Sequence, residues 1–195
     1  MSDRAMVGVS GYDRRADDRY WTHPRVTETL LARLRLPPGV VWEPASGRGD
    51  IVVVLRRCGY ETIGTDVRAY SDVLVDDIGI MDFLDAATLP AGVSTILTNP
   101  PFKKVLIRRF IEHSLALMEP SRGMVVMLLR NEWDSASTRR GLFQHEAFAG
   151  KFVLTWRPRW DWWEREKPKA SPRHNYSWFV WNWRHKGRPT ISYLP

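Results

Sequence analysis

The segment Asn99-Pro100-Pro101-Phe102 combines residue types that could bind a flat molecule through its exocyclic amino group. It follows an apolar run at residues 93–98 that is typical of a buried strand. Because the residue before a proline is driven toward extended geometry and prolines carry no N–H, the two prolines should hold Asn99 extended at the end of this strand. The Asn99 amide oxygen and the Pro100 carbonyl are then two acceptors beside an aromatic ring. This pattern predicts a site for an amino group attached to a planar ring.

A glycine-containing turn, at residues 43–49, lies between a predicted strand and a predicted helix. Gly47 and Gly49 would let the backbone turn sharply and approach a ligand closely, and a helix N-terminus favours negative charge. By itself this turn could be purely structural. Asp66 ends the next predicted strand seventeen residues after Gly49, close to the spacing of about 20 at which an acidic side chain holds ribose hydroxyls in dinucleotide-binding folds.

The pair Asp82-Phe83 could supply an acceptor and an apolar face to an adenine ring. The alternative interpretation is a helix cap followed by a phenylalanine of the core.

Strands and helices alternate along the chain in a way that positions these residues. Apolar periodicity predicts helices after Pro24, at 51–58, at 105–118 and at 138–148, and strands at 40–42, 62–65, 73–75, 93–98, 123–129, 152–156 and 176–183. Alternation of this kind indicates an α/β fold with a mostly parallel, helix-covered sheet. In such sheets ligands bind beyond the carboxyl ends of the strands, where Asn99 and the glycine turn are expected.

Together these motifs resemble the class I S-adenosylmethionine-dependent methyltransferases, and specifically their amino-methylating branch. The resemblance is to DNA and RNA adenine-N6 methyltransferases whose cofactor motif precedes their Asn-Pro-Pro-aromatic motif, and it covers residues 20–155. Thr22-His23-Pro24 looks like a loosened form of the family's upstream Thr-Pro motif, with His23 inserted. The resemblance implies a Rossmann-like fold with a seven-stranded sheet, helices on both faces and an antiparallel C-terminal strand.

The resemblance also implies a role for each matching residue. S-adenosylmethionine would be bound by Asp66 at the ribose, by Asp82 and Phe83 at the adenine, and by Thr22 and Pro24 at the carboxylate. The remaining expected cofactor contacts are Glu43, Pro44, Ala45, Gly47, Gly49, Val67 and Asn99. The expected catalytic residues are Asn99, Pro100, Pro101 and Phe102, with Phe102 stacking on the target base.

Charge and tryptophan are concentrated near the end of the chain. Residues 1–150 contain 19 basic and 19 acidic side chains, whereas residues 151–195 contain ten basic and three acidic ones, together with seven of the ten tryptophans. Basic side chains neutralise phosphates and aromatic faces stack on bases, so this composition favours a nucleic-acid partner over a solvated basic face with core tryptophans. The candidate substrate-binding residues, within a basic segment at 156–176, are Arg157, Arg159, Trp160, Trp162 and Trp163.

Other features of the sequence limit the domain organisation, the cellular location and the cofactors that are expected. Residues 1–19 lack apolar periodicity and are expected to form a mobile arm before a single domain at 20–195. One cysteine, no secretory leader and no long apolar run favour a cytoplasmic location without a membrane span. The five histidines lack metal-ligand spacing, so no metal is expected. Guanine-N2 or glutamine-amide methylation, or non-catalytic nucleic-acid binding, stay open, and a protein partner could supply target specificity.

Overall fold

The computed structural model describes residues 20–160 and 172–195. The expected mobile arm at 1–19, as well as Trp162 and Trp163, lie outside these described residues. The helices are α1 (Pro24–Leu31), α2 (Asp50–Arg57), α3 (Lys104–Met118) and the short α4 (Arg140–Phe143). The strands are β1 (Val40–Glu43), β2 (Thr62–Asp66), β3 (Gly79–Ile80), β4 (Val93–Thr98), β5 (Met124–Arg130), β6 (Phe148–Leu154), β7 (Tyr176–Asn182) and β8 (Thr190–Leu194).

The described strands form one mixed sheet in the order β3-β2-β1-β4-β5-β7-β6-β8. The first five strands in this order are parallel, and β7 runs antiparallel to both β5 and β6. The predicted mostly parallel α/β sheet with an antiparallel strand near the C-terminus is therefore confirmed. The sheet has eight strands rather than the predicted seven, because β8 adds to the edge of β6 in parallel register.

Two apolar clusters, one on each face of the sheet, bury the amphipathic helices. Residues of α1 and α2, among them Val26, Leu30 and Leu55, pack in one cluster. The inward side of α3, with Ile107 and Ile111, packs in the other. Alternate residues of β5 and β7 enter both clusters, which places these two central strands at the middle of the core.

Four predicted elements differ from the structure. The strand predicted at 152–156 begins four residues earlier, since β6 runs over Phe148–Leu154. Residues 73–75 are not a strand; the short edge strand lies at Gly79–Ile80 instead, where Thr65 and Asp66 of β2 provide the pairing partners. The helix predicted at 138–148 is limited to a 3₁₀ turn and α4, because Phe148 already pairs with Trp181 in the sheet. The strand at 176–183 is not the last, since it is followed by β8.

Several tryptophans of the basic C-terminal region belong to the core. Trp178 and Trp181 are fully buried, and Trp183 is 7% exposed. The indole N–H of Trp178 donates to the Val26 carbonyl at 3.0 Å, and that of Trp181 donates to the Leu142 carbonyl at 2.8 Å. Packing in the core thus accounts for Trp178, Trp181 and Trp183 among the described tryptophans of this region.

No helix among the described residues is long and apolar enough to cross a membrane. Within the same residues, no group of three or more His, Cys, Asp or Glu side chains is placed to hold a metal ion.

Candidate active site

The turn after β1 and the segment after β4 meet at the carboxyl edge of the sheet. β1 is the strand from which the chain order departs in opposite directions, toward β2 on one side and β4 on the other. The loops after β1 and β4 therefore leave a crevice between them, which is where open α/β sheets bind ligands. The sequence places the glycine turn in one loop and Asn99 in the other.

A cavity of about 270 Å³ opens at this crevice. Its volume is near the lower end of the range of roughly 300–1,000 Å³ that is usual for small-molecule sites. Most residues predicted for the site line it: Thr22, Glu43, Pro44, Ala45, Gly47, Asp66, Val67, Asp82, Phe83, Asn99, Pro100, Pro101 and Phe102. The tertiary structure thus brings together motifs that are up to 80 positions apart in the chain.

Hydrogen bonds to β2 fix the glycine turn. The Gly47 N–H donates to Oδ2 of Asp66 at 2.8 Å, and the Ser46 N–H donates to the Thr65 carbonyl at 2.9 Å. Gly47 has a φ of +55°, a left-handed conformation that glycine adopts readily. A Cβ atom on Gly47 would lie 2.6 Å from Cζ3 of Trp21, so the closeness of the indole also requires glycine here.

Three of the carboxyl side chains that line the cavity, those of Glu43, Asp50 and Asp66, are buried. Asp50, at the start of α2, forms a two-point ion pair with Arg48, with both N–O distances at 2.9 Å. Glu43 is 1% exposed, and its Oε2 has no hydrogen-bond partner among the described residues. Burial, with the nearby charges of Asp50 and Asp66, holds the pKa of Glu43 well above its usual value. Burial also raises the pKa of Asp66, although the N–H groups of Gly47 and Arg68 oppose this shift.

The raised pKa of Glu43 predicts that Glu43→Gln stabilises the empty protein at neutral pH. The unfolded chain loses the Glu43 proton near pH 4, whereas the folded chain keeps it to higher pH, so folding stability falls as pH rises from about 4 through the folded pKa. Glutamine does not ionise, so the variant does not lose stability over this pH range. We expect a gain on the order of 1 kcal/mol at pH 7.5, measured by denaturant unfolding, that vanishes toward pH 4.

Glu61→Gln is the matched control, because Glu61 is exposed and exposed substitutions usually change stability by no more than about 0.5 kcal/mol. A Glu43→Gln variant that gains no stability at any pH would contradict the argument.

Asn99 presents an unsatisfied acceptor at the cavity. Its Nδ2 donates to Oγ1 of Thr22 at 3.1 Å, while its Oδ1 is shielded from water and has no hydrogen-bond partner within the described part of the chain. A buried polar group without a partner costs about 1–3 kcal/mol. A ligand N–H that reached Oδ1 would remove this penalty.

Phe102 belongs to an aromatic cluster beside Asn99. Its ring centroid lies 4.8 Å from that of Tyr20, 5.8 Å from Trp160 and 6.0 Å from Tyr176. The indole N–H of Trp160 donates to the Tyr176 hydroxyl at 3.2 Å. Although Trp160 is not among the described lining residues, it packs against one of them and so connects the basic segment to the site.

Asp82 and Phe83 combine the two interpretations that their sequence allowed. Oδ1 of Asp82 accepts the Leu84 N–H at 2.9 Å and caps a 3₁₀ turn, while Phe83 is 1% exposed and packs on Trp42 and Phe110. Both residues nevertheless line the cavity. Their structural roles therefore coexist with a position beside a bound ligand.

Pro24, Gly49, Arg157 and Arg159 are outside the described lining of the cavity. Pro24 begins α1, and Gly49 precedes α2 with a φ of +98°. A Cβ on Gly49 would lie 2.8 Å from Val75, so this glycine permits a close approach of the loop before β3.

Several lining residues were not predicted from the sequence. They are Tyr20, Trp21, Ser46, Asp50, Ile51, Arg68, Tyr70, Leu84, Lys103, Leu106 and Phe110. The sequence signal that could have indicated some of them is the pair Tyr20 and Trp21 just before Thr22, because aromatic residues next to a motif can line the same cavity. Tyr70 packs edge-on against Trp21 at 5.4 Å, a contact that no local pattern indicates.

This fold is similar to that of several solved methyltransferases, which is the architecture that the sequence resemblance implied. A presumed RNA methyltransferase from Pyrococcus horikoshii superposes with a TM-score of 0.56 at 15% identity, over 82% of this chain and 80% of that one. The methyltransferase subunit of a type I restriction-modification system from Streptococcus thermophilus superposes with a TM-score of 0.54 at 11% identity, over 86% of this chain and 45% of that one.

A modification subunit of a presumed type I restriction enzyme from Vibrio vulnificus is similar to this chain with a TM-score of 0.51 at 15% identity, over 84% and 44% of the two chains. The chain thus spans somewhat less than half of the length of the two restriction-system subunits. No protein-family model and no curated protein sequence matches the chain. At these identities the comparisons define the fold and leave the reaction to be argued from the site.

Proposed function

We propose that this protein transfers the methyl group of S-adenosylmethionine to an exocyclic amino nitrogen of nucleic acid, with adenine N6 as the leading target. The observation that carries the proposal concerns Oδ1 of Asn99, which has no hydrogen-bond partner among the described residues. Asn99 shares a cavity with the glycine turn and Asp66. An acceptor at a crevice of this kind suits an amino group that must approach a methyl donor.

The residues of the cavity fit the proposed cofactor. The unpartnered Oε2 of Glu43 is suited to an ammonium group, and an ammonium would favour the ionised form of this buried carboxyl. Oδ1 of Asp66 accepts from the Arg68 N–H and the Tyr70 hydroxyl, whereas Oδ2 accepts the Gly47 N–H and has a second lone pair for a ribose hydroxyl. Asp82 and Phe83 would contact the adenine, and Thr22 the carboxylate.

The mechanism depends on positioning. When bound, S-adenosylmethionine supplies a methyl group made electrophilic by its sulfonium. Asn99 Oδ1 and the Pro100 carbonyl accept the two amine hydrogens, which draws the nitrogen toward tetrahedral geometry and restores the lone pair that the ring delocalises. The bound cofactor would supply its methyl group to this lone pair and leave as the neutral thioether, and the methylated amine would then lose a proton to solvent. Orientation of this kind can supply about 7–11 kcal/mol of the barrier, so no general base is needed.

The substrate must displace side chains to reach Asn99. Oδ1 is shielded from water, and Phe102 is packed against Tyr20 and Trp160. A base stacking on Phe102 would therefore exchange one set of aromatic contacts for another. A duplex base would also have to leave its stack.

The position of the basic segment supports nucleic acid as the substrate. Arg157 and Arg159 follow β6, whose end pairs with the start of β7, at the same edge of the sheet as the cavity. Two of the similar structures are described as RNA and restriction-modification methyltransferases.

Transfer of labelled methyl tests the proposal. Single-stranded and duplex DNA, RNA, and a glutamine-containing peptide are incubated with labelled S-adenosylmethionine, and the products are digested to nucleosides or amino acids. Label in N6-methyladenine is the expected result. Label in N2-methylguanine or methylglutamine would show that guanine or a glutamine side chain is the target instead of adenine. Cofactor binding without transfer to any substrate would contradict the proposed reaction.

The double variant Arg157→Ala, Arg159→Ala is expected to weaken nucleic-acid binding while leaving cofactor affinity intact. For each arginine that no longer neutralises a phosphate, the slope of log K against log salt should become shallower by about 0.9 on duplex DNA. Fluorescence titrations at several salt concentrations measure this slope.

The control variant, Arg184→Ala with Arg188→Ala, makes the same charge change at the opposite edge, beyond the end of β7. Because Nε of Arg157 also donates to Oδ1 of Asn175 at 2.9 Å, thermal unfolding should accompany the titrations. Equal weakening of cofactor and nucleic-acid binding would contradict the assignment.

A further inference from the structure

Thr22 and Asn99 form a hydrogen bond between two site residues that are 77 positions apart. Nδ2 of Asn99 donates to Oγ1 of Thr22 at 3.1 Å, and Thr22 is only 5% exposed. Thr22 lies just before α1 and Asn99 directly after β4, and both line the cavity. The bond joins the segment expected at the cofactor carboxylate to the strand end that carries the proposed catalytic amide.

The orientation of the Asn99 amide decides what it offers a substrate. A threonine hydroxyl can both donate and accept, so Thr22 alone could bond either end of this amide. While the hydroxyl accepts, Oδ1 of Asn99 points away from Thr22 and stays available. If the hydroxyl donated to Oδ1 instead, the amide would be flipped. Its NH₂ group would then face the substrate amine, where two donors cannot form a hydrogen bond.

We propose that Thr22 is a positioning residue that fixes Asn99 in its catalytic orientation, the one seen in the structure, when the cofactor binds. A carboxylate only accepts hydrogen bonds, so the Thr22 hydroxyl must donate a hydrogen bond to a carboxylate bound there. The Thr22 oxygen can then only accept, and the NH₂ of Asn99 is the donor that it meets. Oδ1 of Asn99 is left facing the amine.

This inference rests on the proposed function, because it takes S-adenosylmethionine as the ligand and Asn99 as the acceptor of the amine. It also predicts the order in which the two ligands bind, with the cofactor before the substrate. The acceptor is fixed only after the cofactor carboxylate is in place, so an amine that arrives first meets an amide free to turn. Substrate binding should therefore tighten when the cofactor site is filled.

Side-chain NMR tests this inference without relying on methyl transfer. The chain has four asparagines, so selective labelling of asparagine gives four side-chain NH₂ signals, and the Asn99→Ser variant identifies that of Asn99. S-adenosylhomocysteine carries the amino-acid carboxylate, whereas 5′-methylthioadenosine lacks it. We expect the first ligand to shift the Asn99 NH₂ signal and slow its exchange with water, and the second to leave this exchange unchanged.

Substitutions at Thr22 separate the hydroxyl from the volume of the side chain. Thr22→Val should abolish the response of Asn99 and weaken S-adenosylhomocysteine binding by roughly tenfold or more, the effect of losing a hydrogen bond to a charged group. Its affinity for 5′-methylthioadenosine should be unchanged, and Thr22→Ser should retain both properties. Thr29→Val is the control, because the Thr29 hydroxyl donates to the Arg25 carbonyl within α1.

Two outcomes would count against the inference, and they differ from each other. If the Thr22→Val protein shows the same Asn99 response to S-adenosylhomocysteine as the wild type, Thr22 does not position the amide, although methyl transfer could still occur. If the wild type binds neither ligand, the proposed function and the positioning role fail together.

Discussion

Replacing Asn99 with alanine is expected to lower the kcat of methyl transfer by about 10²–10³, the usual effect of removing one preorganised hydrogen-bonding group from a transition state. The variant loses the acceptor Oδ1 but keeps the prolines that hold the segment extended. Cofactor affinity should change by less than about threefold, since the loss falls on interactions made in the transition state. Single-turnover transfer with saturating cofactor measures the rate, and calorimetry measures the affinity.

Asn182→Ala is the matched control for this experiment. Asn182 ends β7 at the opposite edge of the sheet, where its Oδ1 accepts the Arg184 N–H at 2.9 Å. The same truncation there should leave kcat within about twofold, because a surface site of this kind has no contact with the reacting groups. Transfer by the Asn99→Ala protein at the wild-type rate would remove the acceptor role on which the proposed mechanism depends.

Gly47→Ala is expected to weaken cofactor binding by about one to two orders of magnitude. The added Cβ would lie 2.6 Å from Cζ3 of Trp21, and both residues line the cavity. Either the indole moves or the glycine turn shifts away from Asp66, whose Oδ2 accepts the Gly47 N–H. Overpacking of this kind costs about 1–3 kcal/mol. Calorimetric titration with S-adenosylhomocysteine measures the affinity, and thermal unfolding measures the effect on stability.

Gly59→Ala separates the crowding from the backbone strain. Gly59 also has a left-handed backbone, with a φ of +86°, but a Cβ there would have no neighbouring atom of the described residues within 4 Å. Both variants carry the strain of alanine in this conformation, about 1–2 kcal/mol. Only Gly47→Ala should lose affinity, and an equal loss in the two variants would mean that Trp21 and Gly47 do not shape the ligand site.

The local motifs of the site could be predicted because each depends on neighbours in the chain. Consecutive prolines restrict Asn99 wherever the segment lies, and a glycine turn between a strand and a helix needs no distant contact to form. The apolar runs of β1, β4 and β5 likewise required burial in any compact structure. The alternation of strands and helices indicated a mostly parallel sheet, and in such a sheet the two loops lie at the same carboxyl edge.

For residue types that suit both the core and a ligand site, the sequence could not decide between the two locations. Trp178 and Trp181 lie in a basic, aromatic region that suits nucleic acid, yet pairing of β7 between β5 and β6 buries both. Phe83 reaches both the core and the cavity. Composition records which side chains are present, while burial depends on the strands beside them.

The amino-acid sequence by itself determined the α/β class, the glycine turn, Asp66 at the end of β2, and the Asn-Pro-Pro-Phe segment at the end of β4. Only the tertiary structure decided that β8 extends the sheet, that Tyr20 packs on Phe102, and that Asn99 donates to Thr22. The physical reason is the distance along the chain over which each effect acts. Backbone restriction and periodicity act within a few residues, whereas these contacts depend on strand order and register, which the whole chain settles together.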